Sequence, residues 1–140
     1  MALDQFSSAV DRVSIPGVPK TIGPAQHAML DYGVALTFFS LAAKYWGRHK
    51  PAAALAIING GMVLGMSLFT DYPGGLWRRI SFPMHGALDM VQAGVAGLGP
   101  VVMGFGGDPE ARTFYGQAMS EIGVIAATDW HAQDTASQAA

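Results

Sequence analysis

His27-Ala-Met-Leu-Asp31 and His85-Gly-Ala-Leu-Asp89 are two versions of one short segment, an imidazole four residues ahead of a carboxylate inside otherwise apolar sequence. Sliding the chain by 58 positions superimposes them without a gap, and the same shift places Leu30 on Leu88, Pro51 on Pro109, Gly65 on Gly123, Thr70 on Thr128 and Asp71 on Asp129. Ile22/Ile80, Ala35/Ala93 and Ala53/Ala111 complete the identities between residues 22–72 and 80–130. The matched set holds nearly every charged or imidazole residue that interrupts apolar sequence. A repeat at this period marks a duplicated structural unit.

The apolar stretches inside each unit are too long and too poor in charge for the core of a small soluble domain. Each is close to the roughly 20 residues that cross a hydrocarbon layer. Four spans are predicted, at about 25–46, 52–70, 83–105 and 112–128. The last contains Gln117, Ser120 and the intramembrane acid Glu121. A lone acid at mid-bilayer costs on the order of 3 kcal/mol, so this span is expected to lean on partner helices. Composition agrees, with 51% hydrophobic and 13% charged residues and 18 glycines, because glycine lets helix backbones approach closely in lipid. Gly61-Met-Val-Leu-Gly65 and Ala93-Gly-Val-Ala-Gly97 have the small-xxx-small spacing that predicts tight helix contacts. Pro100 is expected to bend the third helix.

The chain has no cysteine, which removes disulfides, thiolate metal sites and thiol catalysis together. A net charge of −2 carries no nucleic-acid footprint. Before the first span, residues 1–23 lack the basic start and apolar run of a signal peptide. Leu3, Phe6, Val10 and Val13 recur there at helical spacing among polar residues, which predicts a short interfacial helix or, more plainly, an amphipathic end that frays. The two-helix repeats then cover 24–72 and 82–130, joined by a loop at 73–81 and followed by a polar, flexible tail at 131–140.

Each unit holds an even number of spans, so the second copy enters from the same side as the first and the repeats are parallel. His27 and Asp31 then begin span one, Asp71 ends span two, His85 and Asp89 begin span three, and Asp129 ends span four. All six are expected at one membrane face. Lysine and arginine divide evenly between the two faces and set no orientation.

A His-x-x-x-Asp spacing puts imidazole and carboxylate one helical turn apart, within hydrogen-bonding reach. The plain reading is a polar network that pins the helices, with each Thr-Asp pair capping a turn. The same residues, His27, His85, Asp31 and Asp89 above all, suit a divalent transition metal. Two histidines at equal depth also suit the axial positions of a tetrapyrrole. A transport path would need polar residues through the whole bilayer, and only Asn59, Gln92, Gln117, Ser120 and Glu121 lie deeper. Tyr45, Trp46, Tyr72, Trp77 and Trp130 stand where interfacial aromatic belts are expected. No hydrolase triad, phosphate loop or dinucleotide fingerprint is present, so the chain reads as a non-enzyme.

The segments His27-Ala-Met-Leu-Asp31-Tyr32, Thr70-Asp71-Tyr72-Pro73-Gly74-Gly75-Leu76-Trp77-Arg78, Pro83-Met84-His85-Gly86-Ala87-Leu88-Asp89 and Pro100-Val101-Val102-Met103-Gly104-Phe105 resemble the bacterial SPW-repeat membrane proteins. The resemblance implies a duplicated four-span protein of the bacterial inner membrane and brings no established activity with it. The expectation is therefore an all-α integral membrane four-helix bundle of two parallel repeats, in contact with lipid. It would act as an accessory subunit packed against other integral membrane subunits or as a homo-oligomer. The alternative is a metal- or tetrapyrrole-binding redox or transport accessory.

Overall fold

Proline marks where three of the four helices begin. A computed structural model describes residues 15–132 and contains α1 (Pro24–Tyr45), α2 (Lys50–Phe69), α3 (Phe82–Val102) and α4 (Ala111–Ala127). Pro24, Pro51 and Pro83 lie in the first turns of α1, α2 and α3, where a missing N–H leaves no bond unmade. The Ser81 hydroxyl accepts from the Met84 amide at 3.4 Å and the His49 ring from the Ala52 amide at 3.1 Å, capping α3 and α2. At the other ends, α2 and α4 stop at Thr70 and Thr128, both extended. The four helices fall within three residues of the four predicted apolar stretches. The proposed interfacial helix and most of the tail lie outside the described residues.

The all-α, four-helix part of the expectation stands. By length and hydropathy, however, α2 is the one helix among the described residues apolar enough to cross a bilayer unaided, with a mean hydropathy of 1.8. The others fall short for visible reasons: α1 and α3 carry the His-Asp pairs, and α4 has 17 residues with Glu121 among them.

Far from the His-Asp segments, the core consists of Phe38, Ala42, Ala52, Ala56, Ala96 and Phe114 with their neighbours. Phe38 and Phe114 stack across it at 6.1 Å. The closest backbone approaches are not at the small-xxx-small pairs. A methyl group on Gly99 would lie 2.6 Å from Leu55, and one on Gly60 3.2 Å from Phe38 and Phe39. Gly61 and Gly65, by contrast, have nothing within 4 Å, so the tight contact expected of them is not made within this chain. Ala93 is buried and Gly97 faces Ala118 at 3.4 Å. Pro100 stands in the last turn of α3, before the Met103 cap, and so helps to end the helix.

The duplicated identities meet at one end of the bundle. Ile22 pairs with Thr128 and Ile80 with Thr70 in two isolated parallel bridges. The Asp129 amide donates to the Ile22 carbonyl at 2.9 Å, and the Asp71 amide donates to the Ile80 carbonyl at 2.8 Å. Each repeat's incoming segment is thus stitched to the other repeat's last turn. The loop after Thr70 doubles back tightly, since a Cβ on Gly75 would collide with the Thr70 carbonyl and Gly74 has φ +93°.

Candidate functional site

Thr70 and Thr128 bond backwards into their own helices, and this decides the chemistry of the histidines. The Thr70 hydroxyl donates to the Met66 carbonyl at 2.7 Å, and Thr128 donates to Val124 at 2.7 Å. A hydroxyl has one proton, so each threonine oxygen is left only to accept. His85 Nδ1 lies 2.7 Å from Thr70 Oγ1 and His27 Nδ1 lies 3.0 Å from Thr128 Oγ1. Both Nδ1 atoms therefore carry hydrogen, and both Nε2 atoms point inward.

There the two aspartates receive them. His27 Nε2 is 3.0 Å from Asp89 Oδ2 and 3.4 Å from Asp31 Oδ1. His85 Nε2 is 3.0 Å from Asp31 Oδ2 and 3.2 Å from Asp89 Oδ1. Imidazoles and carboxylates alternate around a closed ring in which every aspartate bridges both histidines. The shorter contact of each histidine is to the other repeat's aspartate, and its threonine also belongs to the other repeat. His27 and His85 are 1% and 0% exposed.

Bare Nε2 lone pairs facing four carboxylate oxygens would repel, so the ring requires positive charge at its centre. Two protons supply it, making two imidazolium ions against two carboxylates with no net charge. A single divalent cation supplies it equally well. The protonated form is imperfect at one corner, because His85 Nε2 makes no well-directed hydrogen bond despite its burial. His49 shows the contrast: its Nδ1 accepts from the Ala52 amide while Nε2 faces Asp108 at 3.1 Å, and one proton satisfies the whole group.

Aromatic rings close the outer side. Tyr72 and Trp130, related by the 58-residue shift, are 1% and 4% exposed, so they do not form part of an interfacial belt as their position suggests. Trp130 lies 4.8 Å from the His27 ring and covers Gly86, where a Cβ would stand 2.9 Å from the indole. The Tyr72 hydroxyl donates to Asp31 Oδ2 at 2.8 Å. Burial, then the adjacent Asp31 charge, pushes that hydroxyl well above the ordinary tyrosine range, so it remains a donor. Phe82 completes the lid against Trp130 at 4.8 Å.

On the inner side a cavity of about 90 Å³ opens onto His27, Asp31 and Asp89 and is lined further along by Gln117, Ser120 and Glu121. Beside it the Gln92 amide stands between Asn59 and Glu121. Asn59 donates to the Leu55 carbonyl at 2.9 Å, and the Gln92 amide is placed to donate to the Glu121 carboxylate. Toward the other end of the bundle the core is built of apolar side chains.

Four of the six expected cluster residues thus form the site. Asp71 and Asp129 sit at the same end but face outward: Asp71 meets Arg78 at 3.4 Å on the exposed surface, and Asp129 accepts from the His131 amide at 3.2 Å. Their contribution to the site is through the backbone. Thr70, Thr128, Tyr72 and Trp130 were not singled out as site residues, although each pair coincides under the repeat shift. The ring centroids of His27 and His85 are 5.3 Å apart and both Nε2 atoms address the same carboxylates, which leaves no place between them for a tetrapyrrole.

Among the described residues, the fold and site define an all-helical, internally duplicated four-helix bundle closed around a buried His-Asp ring. No protein-family model, curated protein or solved structure matches the chain.

Proposed function

We propose that the protein is a non-catalytic integral membrane protein, a structural or accessory component packed against other membrane subunits, in which the His-Asp ring pins the two repeats together. The observation that carries this reading is an inverted distribution of polarity. His27, Asp31, Asn59, Ser67, His85, Asp89 and Gln92 are buried, while Met29 is 76%, Leu36 69%, Leu98 67% and Val102 82% exposed. An outer surface of this kind is costly in water and is what lipid favours. Apart from Asp31, Asp89 and Glu121, the charged residues of the described chain lie in loops and helix ends. Helices that fail a hydropathy test singly are compatible with this, since their polar side chains point into the bundle.

Two features favour a packing role. Gly61 and Gly65 present an open small-residue strip, and a groove of about 610 Å³ runs between α3 and α4 past Gly94, Gly97 and Met119. The same reading groups the chain with the SPW-repeat membrane proteins of the bacterial inner membrane. Its test is fractionation of the expressed chain: retention in the membrane pellet after an alkaline wash, followed by co-migration with larger membrane proteins after mild solubilisation. Recovery from the aqueous fraction without detergent would overturn the membrane reading, and a lone monomer in native membrane would overturn the accessory role.

A further inference from the structure

We propose that the ring is a binding site for one divalent first-row transition-metal ion, held by Nε2 of His27 and His85 and by one carboxylate oxygen each of Asp31 and Asp89. This goes beyond the membrane reading and does not depend on it. The first support is the tautomer. Thr70 and Thr128 hold both Nδ1 hydrogens, so a neutral His27 and a neutral His85 each direct an Nε2 lone pair at the same point. Fixing a ligand imidazole through its second nitrogen is how proteins orient metal-binding histidines. Here the same device occurs twice.

The second support is dimensional. The four Nε2 to oxygen contacts, which engage both oxygens of each aspartate, run from 3.0 to 3.4 Å, and with one donor atom taken from each residue all lie within 4.8 Å of one another, close enough for small side-chain shifts to gather them on one ion. Neighbouring ligands around an ion with bonds of about 2.1 Å stand roughly 3.0–3.4 Å apart. Tyr72 donates to Asp31 Oδ2, so Oδ1, which receives no hydroxyl and lies 3.4 Å from His27 Nε2, is the Asp31 oxygen disposed to ligate. A nitrogen and oxygen donor set without sulfur suits zinc, manganese, iron(II) or cobalt(II). Its two carboxylate charges neutralise a dication, so the filled site carries no net charge into a buried place.

The third support points to a ligand and not merely to a clamp. His85 Nε2 is fully buried, lacks a directed partner and is aimed into the ring. The repeat symmetry is also broken on one side: Glu121 stands where the first repeat has Val63, and Ser120 where it has Met62. Val63, Ser120 and Glu121 all line the cavity beside the ring, which at about 90 Å³ has room for water beside the ion. A pin holding two helices together needs no such opening. A metal site with an open coordination position does.

The test uses the full chain, solubilised, stripped with a chelator and titrated with cobalt(II), whose visible bands report coordination. The expected result is saturation near one equivalent and displacement by zinc. X-ray absorption of the cobalt-loaded wild type is expected to show two imidazoles in an otherwise oxygen shell. Thr70→Val, which removes the hydroxyl that orients His85 along with its bond to the Met66 carbonyl, is expected to weaken binding by about 10–100-fold. His49→Asn, at the opposite end with its capping acceptor kept, is expected to leave binding unchanged. His85→Ala is expected to abolish it, and should that variant fail to fold, the absorption spectrum of the wild type still decides. Absence of cobalt bands at millimolar metal, a shell without imidazole, or full affinity in Thr70→Val would overturn the proposal.

Discussion

Replacing Asp89 by Asn tests the ring most directly, because it keeps the volume and removes one of two buried charges. Asp89 is 4% exposed and touches both rings, His27 at 3.0 Å and His85 at 3.2 Å. Each charge-assisted contact contributes about 1.5–3 kcal/mol, with the off-axis His85 contact at the low end. The sum agrees with the ~3–5 kcal/mol lost when one partner of a buried ion pair is deleted. For a stability of roughly 5–15 kcal/mol that loss is severe, and it lowers the melting temperature by roughly 10–15 °C. The assay is thermal loss of helicity in matched detergent with chelator present, using the exposed Asp71→Asn as control, for which a change under about 0.5 kcal/mol is expected. Adding Asp31→Asn should then cost less than the sum of the two singles, because two neutral rings no longer face an unbalanced charge. An Asp89→Asn protein as stable as Asp71→Asn would refute the reasoning.

Gly86→Ala sets a methyl 2.9 Å from the Trp130 indole and is expected to destabilise by about 1–3 kcal/mol; in a background where Trp46 and Trp77 are Phe, the Trp130 emission shifts to the red. Gly99→Ala, meeting Leu55 at 2.6 Å, is expected to lower the melting temperature of the isolated chain, whereas Gly61→Ala leaves it unchanged and instead reduces recovery of partner proteins on mild solubilisation. Glu121→Gln removes an acid without touching the ring, so chelator-treated protein should melt at or above the wild-type temperature, and a fall comparable to that of Asp89→Asn would show Glu121 to be part of the clamp.

The helices were legible because long apolar runs bounded by proline and by polar loops leave few alternatives, and the repeat shift fixed their pairing. The position of the site was legible too, since an even number of helices per repeat returns His27, Asp31, His85 and Asp89 to one end. What sequence did not reveal is which half supplies each partner. Asp31 is four residues from His27, and helical spacing alone pairs them, yet the shorter contact of His27 is to Asp89. Asp71 and Asp129 were misplaced into the cluster for a related reason: both follow a helix end, where the backbone turns extended and directs consecutive side chains oppositely. Threonine one position earlier turns inward instead, and its identity under the shift was the available signal. Tyr72 and Trp130 looked like interface residues because burial of an aromatic ring under a lid leaves no mark in local composition.

The exchange of partners between repeats explains why the duplicated identities are the ones they are. Neither hairpin satisfies its own histidine: His27 needs Thr128 and Asp89, and His85 needs Thr70 and Asp31. The bridges Ile22–Thr128 and Thr70–Ile80 obey the same rule. A separated half would leave an Nδ1 donor, a carboxylate and a run of backbone groups without partners, so the two halves are stable only together. This reciprocity constrains the site residues equally in both copies, while the helix faces beyond it are free to diverge. Val63 against Glu121 is therefore the informative difference. Both residues line the cavity that reaches the constrained ring, so a change at either alters the approach to the ring without removing any of the contacts that hold the repeats together.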